Sequence, residues 1–156
     1  MIPHVLRELQ PDDLAFVKRR WAGEMRHSPW YRCVPSPVYW GSQYKTIEAL
    51  LSQSTCILAV DPADTNHLYG VIVCQKSKER SILHWLFVKS EYRKLGLGSE
   101  LLNAGLGERR PIYLTQATNF VAEHPQLCEK HAVVSSPFIL LGTHVEDPYA
   151  PSQTTH

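Results

Sequence analysis

Three short apolar runs follow one another in the middle of the chain and limit the folds that are open to it. Residues 55–60, 67–75 and 82–88 are rich in β-branched and aromatic side chains, and short polar stretches join them. Such links are typical of hairpin turns. Strands with links this short pair in antiparallel fashion, because a parallel pair needs a crossover of a dozen or more residues. The sequence therefore predicts an antiparallel meander.

Helical and further strand patterns surround this meander. They are a strand at 5–9, a helix opened by 10–13, a loop at 27–43 with three prolines, a helix containing 44–51, a helix at 96–106, a strand at 111–115, a helix at 119–131 and late strands at 133–134 and 138–141. This order predicts an α/β fold of layered α+β type, in which a mixed central sheet is flanked by about four helices.

Length and composition indicate one globular domain. The chain has 156 residues, of which 44% are hydrophobic and 20% charged, and a chain of this size can bury a core. Residues 146–156 contain two prolines and few apolar side chains. We therefore expect a single domain over residues 1–145 and a flexible tail over 146–156.

Charge and hydropathy name no partner and no membrane. Sixteen basic side chains oppose fifteen acidic ones, for a net charge of +1. No apolar run approaches the roughly 20 residues that cross a bilayer, and the first residues lack a basic stretch followed by an apolar one. We expect a cytoplasmic protein, either a monomer or a homodimer, without membrane contact.

The cysteines and histidines indicate neither disulfides nor a metal site. The four cysteines are scattered and form no Cys-x-x-Cys pair. His124, Cys128 and His131 would share one helical face, but Pro125 interrupts that stretch and a fourth ligand is missing. The prediction is therefore that the protein binds no metal.

The segment with the clearest chemistry joins the third apolar run to a helix. A basic loop with Arg93 and Lys94 leads to Gly96 and Gly98, where a helix is expected to begin. Free N–H groups in a first helical turn, together with basic side chains, form a cradle for phosphate. The P-loop pattern is absent, and the dinucleotide pattern lacks its third glycine because residue 101 is leucine. A plain glycine-rich turn is the alternative.

The pattern Arg93-x-x-Gly96-x-Gly98 after an apolar strand resembles the acetyl-coenzyme A motif of the GNAT superfamily of N-acetyltransferases. The resemblance spans residues 4 to about 141 in element order, and it implies the GNAT fold with acetyl-CoA as the coenzyme. It also implies that the strand before the turn separates from its neighbour and binds the pantetheine arm through its backbone. The implied coenzyme contacts are Phe87, Val88, Arg93, Lys94, Leu95, Gly96, Leu97, Gly98 and Ser99.

A second part of the family pattern lies further along the chain. Asn119, followed by Ala122, is similar to a family segment and implies a further coenzyme contact at Asn119. Cys128 stands where the family commonly has a tyrosine that protonates the leaving thiolate. The pairing of Leu83-His84 with the late segment 136–140 is also similar to small GNAT-like proteins of tailed phages.

Three side chains are candidates for acid–base work, and each has a structural alternative. His84 lies on the strand that should line the acyl site, where an imidazole could accept the proton of the amine. It could equally be hydrogen bonded inside the sheet. Cys128 could donate a proton or form an acyl-cysteine, or be a small packed side chain. Tyr113 could replace the missing acid, or pack in its strand.

The acceptor is predicted to bind at a basic, aromatic segment. Residues 18–45 hold six basic side chains against Glu24 alone, a net charge of +5, and six of the fifteen aromatic residues. Such a surface could stack a base and bind phosphate, or hold an acidic small molecule or a peptide. The alternative is that the aromatic rings anchor the loop while the arginines stay in solvent. The candidate acceptor contacts are Trp30, Tyr31, Arg32, Trp40 and Tyr44.

These observations predict an enzyme that transfers an acetyl group from acetyl-CoA to a primary amine. The alternative is a binding protein of the same shape with little or no catalysis, which would act on nucleic acid or a host protein through the basic aromatic face. Cys128 in place of tyrosine is the residue that keeps this alternative open.

Overall fold

The computed structural model describes residues 2–142, which contain six strands and five α-helices. The strands are β1 Val5–Glu8, β2 Thr55–Val60, β3 Leu68–Lys76, β4 Ser81–Val88, β5 Ile112–Leu114 and β6 Val133–Ser135. The helices are α1 Leu14–Arg26, α2 Ser36–Gln53, α3 Leu97–Leu106, α4 Asn119–Glu123 and α5 Pro125–His131. Single turns of 3-10 helix cover Pro11–Asp13 and Ser90–Tyr92, and a longer one covers Pro137–Gly142.

The strands form one mixed sheet in the order of the chain, β1 to β6. β1 to β4 pair in antiparallel fashion, which confirms the predicted meander, and β5 and β6 add in parallel. The parallel pairs follow connections that contain α3 for β5 and α4 with α5 for β6, as crossovers require. The layered α/β class predicted from the sequence is confirmed.

Two hydrophobic cores lie on opposite faces of the sheet. One contains buried side chains of α1 and α2, including Trp21 and Ile47, packed on Trp85 and Phe87 of β4. The other contains Leu97, Leu101 and further side chains of α3, packed on the opposite face. β4 is therefore covered on both sides by helices, because its successive side chains point to opposite faces.

The predicted loop over residues 27–43 is wrong in its second half, because α2 begins at Ser36. Pro35 is the N-cap residue, and Pro37 occupies the first turn. A proline there removes a backbone N–H that has no partner within the helix. These two prolines mark the start of a helix.

Two late elements also differ from the predictions. The single helix expected over 119–131 is divided at His124 into α4 and α5, since Pro125 begins a new helix. Residues 138–141 form 3-10 turns instead of a strand. The predicted tail, 146–156, lies outside the described residues. Within the part that is described, none of the helices has both the length and the apolar character needed to span a membrane.

Candidate functional site

A cleft forms where β4 and β5 separate. The two strands pair from Ser81 to Leu83, and the last hydrogen bond runs from the N–H of Thr115 to the carbonyl of Leu83 at 3.0 Å. Beyond this point β4 continues to Val88, while the chain after β5 turns into α4. The end of β4 therefore has a partner strand on one side only.

The peptide groups of this edge that have no partner strand belong to Leu86 and Val88. The N–H of Lys89 donates to β3 at 2.9 Å, and hydrogen-bonded pairs alternate along an antiparallel ladder. Phe87 therefore bonds to its partner Val71 on β3, and its neighbours turn their peptide groups toward the cleft. Of the two predicted pantetheine contacts, Val88 has the required backbone direction, whereas the peptide groups of Phe87 face β3.

The turn after β4 carries the other predicted coenzyme contacts. Lys94 and Gly96 have positive φ angles of 64° and 85°, a conformation in which glycine is not strained. Gly96 is the N-cap of α3, and no side chain caps this helix. Leu97 is buried and anchors the first turn to the core. Arg93, Lys94, Leu95 and Ser99 are exposed, whereas Gly98 is half-buried.

The first turn of α3 fits a phosphate group. The first N–H groups of a helix have no partner within it, and together they present partial positive charge. A Cβ added to Gly98 would meet only Val88 and Leu86 side-chain atoms, at 3.9 and 4.0 Å, so the space beside the turn is open. Arg93 and Lys94 add two full positive charges at the same place. These residues can hold the pyrophosphate of a coenzyme A molecule.

The Arg93 side chain lies across the mouth of the cleft. Its Nε–H donates to the carbonyl of Val88 at 2.9 Å, and its guanidinium lies 4.8 Å from the ring centre of Phe120 on α4. Next to this ring, Asn119 donates from its side chain to the carbonyl of His27 at 2.8 Å. The predicted coenzyme contact Asn119 thus ties α4 to the end of α1.

His84, the predicted base, is fully buried inside the sheet. It is the extra residue of a β-bulge, since Leu83 and Trp85 pair with consecutive residues of β3. Its Nδ1 lies 2.8 Å from the hydroxyl of Thr115, and its Nε2 lies 2.6 Å from the side-chain oxygen of Gln75. Burial lowers the pKa of His84 to about 4. These contacts match the structural alternative that the sequence allows for this residue.

The two predicted acids lie in separate elements. Tyr113 is half-buried in β5, where it pairs with Ile82, and Cys128 is half-buried in the middle of α5. Neither side chain makes a hydrogen bond to the turn within the described residues. The four cysteines are all free thiols, and the described residues contain no group of three side chains suited to hold a metal ion.

The predicted acceptor contacts divide into two groups. Trp40 and Tyr44 pack against each other and on the α1–α2 core, and Tyr31 packs on the same core against Tyr39. Trp30 is 69% exposed, and Arg32 is also exposed. Three of these five side chains therefore match the packing alternative, and the exposed pair stands on the surface of the α1–α2 connection.

An open cavity of about 530 Å³ lies beside α1, and the sequence patterns did not indicate it. It is lined by Phe16, Arg19, Arg20, Gly23, Glu24 and His27. Within this wall, Glu24 accepts a hydrogen bond from the indole N–H of Trp85 on β4 at 2.9 Å. Burial raises the pKa of Glu24, while the hydrogen bond from Trp85 and the charges of Arg20 and Arg93 lower it. The one sequence signal was that Glu24 is the single acid among six basic residues.

Comparisons with known structures agree with this fold. A candidate acetyl transferase from Pyrococcus furiosus matches with a TM-score of 0.60 and 17% identity, over 86% of this chain and 95% of that chain. A GNAT-family acetyltransferase from Staphylococcus aureus Mu50 matches with a TM-score of 0.57 and 16% identity, over 82% of this chain and 83% of that chain. At these identities the likeness establishes the fold. A comparison with curated proteins found no match.

The family itself is identified by a sequence model. The model described as the acetyltransferase (GNAT) family matches residues 19–124, more than half of the chain. The match covers α1 from Arg19 onward, α2, β2 to β4, the turn at residues 93–99, α3, β5 and α4. This chain therefore belongs to the GNAT family of acetyltransferases, which use acetyl-CoA.

Proposed function

We propose that this chain transfers the acetyl group of acetyl-CoA to a primary amine that enters through the cavity beside α1. The observation that carries the proposal is the unpaired edge at the end of β4. There the peptide groups of Leu86 and Val88 have no partner strand, next to the uncapped first turn of α3. The coenzyme would bind along this edge, and the α1 cavity is linked to the same strand through Glu24, which accepts a hydrogen bond from Trp85 of β4.

The coenzyme side acts mainly through the backbone. The first-turn N–H groups of α3, with Arg93 and Lys94, would hold the pyrophosphate, and Val88 would bond the pantetheine arm. Arg93 must release the Val88 carbonyl for this, since it now donates to that oxygen. Acetyl-CoA supplies a thioester that an uncharged amine can attack. In this arrangement Phe87 and Asn119 do not contact the coenzyme. Phe87 packs in the core instead, and Asn119 joins α4 to α1.

The acceptor side acts through side chains of α1. Gly23 lies in the interior of this helix and lines the cavity, and a Cβ placed there would meet no atom within 4 Å. A glycine at such a position costs helix stability, and here it leaves open space. Arg19, Arg20 and His27 also line the cavity, so an acceptor with an acidic group would find complementary charge.

The test measures acetyl transfer with a panel of amines and two matched variants. The panel contains ethanolamine, spermidine, glutamate, a lysine peptide and cytidine, and mass spectrometry detects the acetylated product. Gly23→Met fills the cavity, whereas Gly41→Met makes the same change on α2, where a Cβ also meets nothing within 4 Å. We expect the first variant to lose transfer and keep acetyl-CoA binding, and the second to keep both. No acetylated product with any amine contradicts the proposal.

A second candidate function is suggested by Trp30. Its ring is 69% exposed within the segment 18–45 that carries a net charge of +5. An exposed aromatic ring among basic side chains can stack on single-stranded nucleic acid. Binding of a fluorescent oligonucleotide that is lost in Trp30→Ala, without acetyl transfer to any amine, would favour this function over catalysis.

A further inference from the structure

Glu24 occupies an unusual position for a carboxylate. It stands on α1 beside two arginines in the wall of the 530 Å³ cavity. Although it lines an open cavity, only 22% of its side chain is exposed. One oxygen accepts the indole N–H of Trp85 at 2.9 Å, and the other lies 4.0 Å from Nε of Arg20. The carboxylate is therefore held in one orientation by a side chain of β4.

This contact brings Glu24 close to the end of the strand that lines the cleft. Trp85 is stacked between Trp21 of α1 and Phe87 of β4, with ring centres 5.5 and 5.6 Å apart. Arg20 lies 4.7 Å from the ring centre of Phe87. Phe87 directly precedes Val88, whose carbonyl faces the cleft and accepts from Arg93. Glu24 thus lines the proposed acceptor cavity and is linked through Trp85 and Phe87 to the edge where the coenzyme is expected.

The surroundings of Glu24 suit a proton acceptor. Burial raises its pKa, and a higher pKa makes a carboxylate a stronger base. Trp85 of β4 donates to it, Arg20 of α1 lies beside it, and the charge of Arg93 acts on it from the turn. Arg19 and His27 of α1 share its cavity wall. The hydrogen bond from Trp85 and the charges of Arg20 and Arg93 favour the ionised carboxylate, which is the form that can accept a proton.

The alternative bases are less well placed. His84 has both ring nitrogens engaged inside the sheet, with a pKa of about 4. His27 is exposed at the end of α1 and is the other titratable base that lines the cavity. Among the described residues that line this cavity, Glu24 is the only carboxylate. His27 is therefore the alternative catalytic base that an experiment must exclude.

We propose that Glu24 binds the ammonium group of the acceptor and takes its proton, which makes it the base of the transfer reaction. This inference rests on the proposed function. The ammonium nitrogen gives one proton to Glu24, and the free amine forms the C–N bond as the C–S bond breaks. The second proton of that nitrogen goes to the sulfur of coenzyme A, and Glu24 passes its proton to water. One proton is thus released for each acetyl group transferred.

The first measurement compares turnover in Glu24→Gln, His27→Gln and Glu48→Gln, with the amine from the panel that wild type acetylates fastest. Glutamine keeps the size of Glu24 and an oxygen for Trp85, but it cannot take a proton. We expect kcat of Glu24→Gln to fall by about 10²–10⁴-fold, with acetyl-CoA binding unchanged. Glu48 is an exposed residue of α2, paired with Lys18, so Glu48→Gln should match wild type. A large loss in His27→Gln alone would overturn the proposal.

The pH dependence gives a second readout. Wild-type kcat/KM should fall on the acidic side as Glu24 becomes protonated, and this limb should disappear from the residual activity of Glu24→Gln. An unchanged acidic limb in Glu24→Gln would assign it to another group and contradict the proposal.

The second measurement does not depend on turnover. Carbon-13 NMR of protein labelled at its glutamate carboxyl groups would be recorded in the presence of coenzyme A. The signal of Glu24 is identified as the one that is missing from the spectrum of Glu24→Gln, and its chemical shift is followed as the pH changes. We expect this signal to titrate above the ordinary glutamate pKa, and each bound panel amine to move the titration to lower pH. A carboxyl titration that no amine shifts would overturn this inference. If the shift occurs but no amine is acetylated, the proposed function fails while the amine site at Glu24 stands.

Discussion

The two walls of the cleft at the end of β4 are built from different kinds of group. The proposed coenzyme wall is one continuous segment, residues 93–99, and would act through peptide N–H groups and the open space beside Gly98. The proposed acceptor wall consists of side chains of α1, and its Glu24 accepts a hydrogen bond at 2.9 Å from Trp85 of β4, which is distant in sequence. A site made from backbone leaves a fixed spacing of glycines in the sequence, whereas a site made from converging side chains leaves none.

The largest effect is expected from Gly98→Asp on the coenzyme wall. The carboxylate would occupy the open space beside the first turn and repel a phosphate there. Loss of two or three charge-assisted hydrogen bonds at about 1.5 kcal/mol each should weaken acetyl-CoA binding on the order of a thousandfold. Calorimetry measures the binding.

The control for this variant is Gly41→Asp, which adds the same charge on α2. Aspartate in the first turn of a helix is favourable, so Gly98→Asp should remain folded in thermal unfolding. Wild-type affinity in Gly98→Asp would mean that the coenzyme does not bind at this turn.

The second test asks whether His84 belongs to the acceptor wall or to the core. Its folded pKa of about 4 lies below its ordinary value of 6.5, so the fold favours the uncharged ring. The stability contributed is fully present above pH 6.5 and is lost as the pH falls toward 4. The free energy of unfolding should decrease by about 3 kcal/mol over this window because of His84. Urea unfolding at several pH values measures it.

The matched variant is His84→Gln, which keeps a polar side chain for Thr115 or Gln75. The difference in stability between wild type and variant should narrow as the pH falls. If the free energies of unfolding of the two proteins change with pH in parallel, His84 is in contact with solvent in the folded protein. It would then be a candidate catalytic base again.

A smaller effect, on the free energy of unfolding, is expected from replacing Gly96 in the turn after β4. Gly96 has a φ of 85°, in the left-handed region where a side chain costs about 1–2 kcal/mol. Gly96→Ala should therefore lower the free energy of unfolding by that amount, as chemical denaturation would measure. An unchanged stability would mean that the turn adopts another conformation in solution.

The smallest effect has the opposite sign, at Gly23 on the acceptor wall. Gly23 is helical and has open space beside it, so Gly23→Ala should raise the free energy of unfolding by about 0.5–1 kcal/mol. Gly41→Ala should do the same. A loss of stability in Gly23→Ala alone would show that the space beside it is smaller than the structure indicates.

Much of the fold could be predicted from local patterns. The meander follows from three apolar runs with short links, and α3 follows from the glycines before Leu97 and its apolar spacing. The start of α2 could not be predicted in the same way, because prolines 35 and 37 are compatible with a loop and with a first helical turn. The cytoplasmic location, the oligomeric state and the extent of the domain stay predictions.

The proposed coenzyme wall follows from the sequence by itself, since a backbone cradle needs glycines at set positions along one segment. The sequence also determined that His84 stands on the strand beside the cleft. The tertiary structure alone decided which way that ring points, because a bulge in β4 directs it toward Thr115 and Gln75. In the same way, only the packing of α1 on β4 joins Glu24 to Trp85. Helix packing decides such contacts, and no local spacing encodes them.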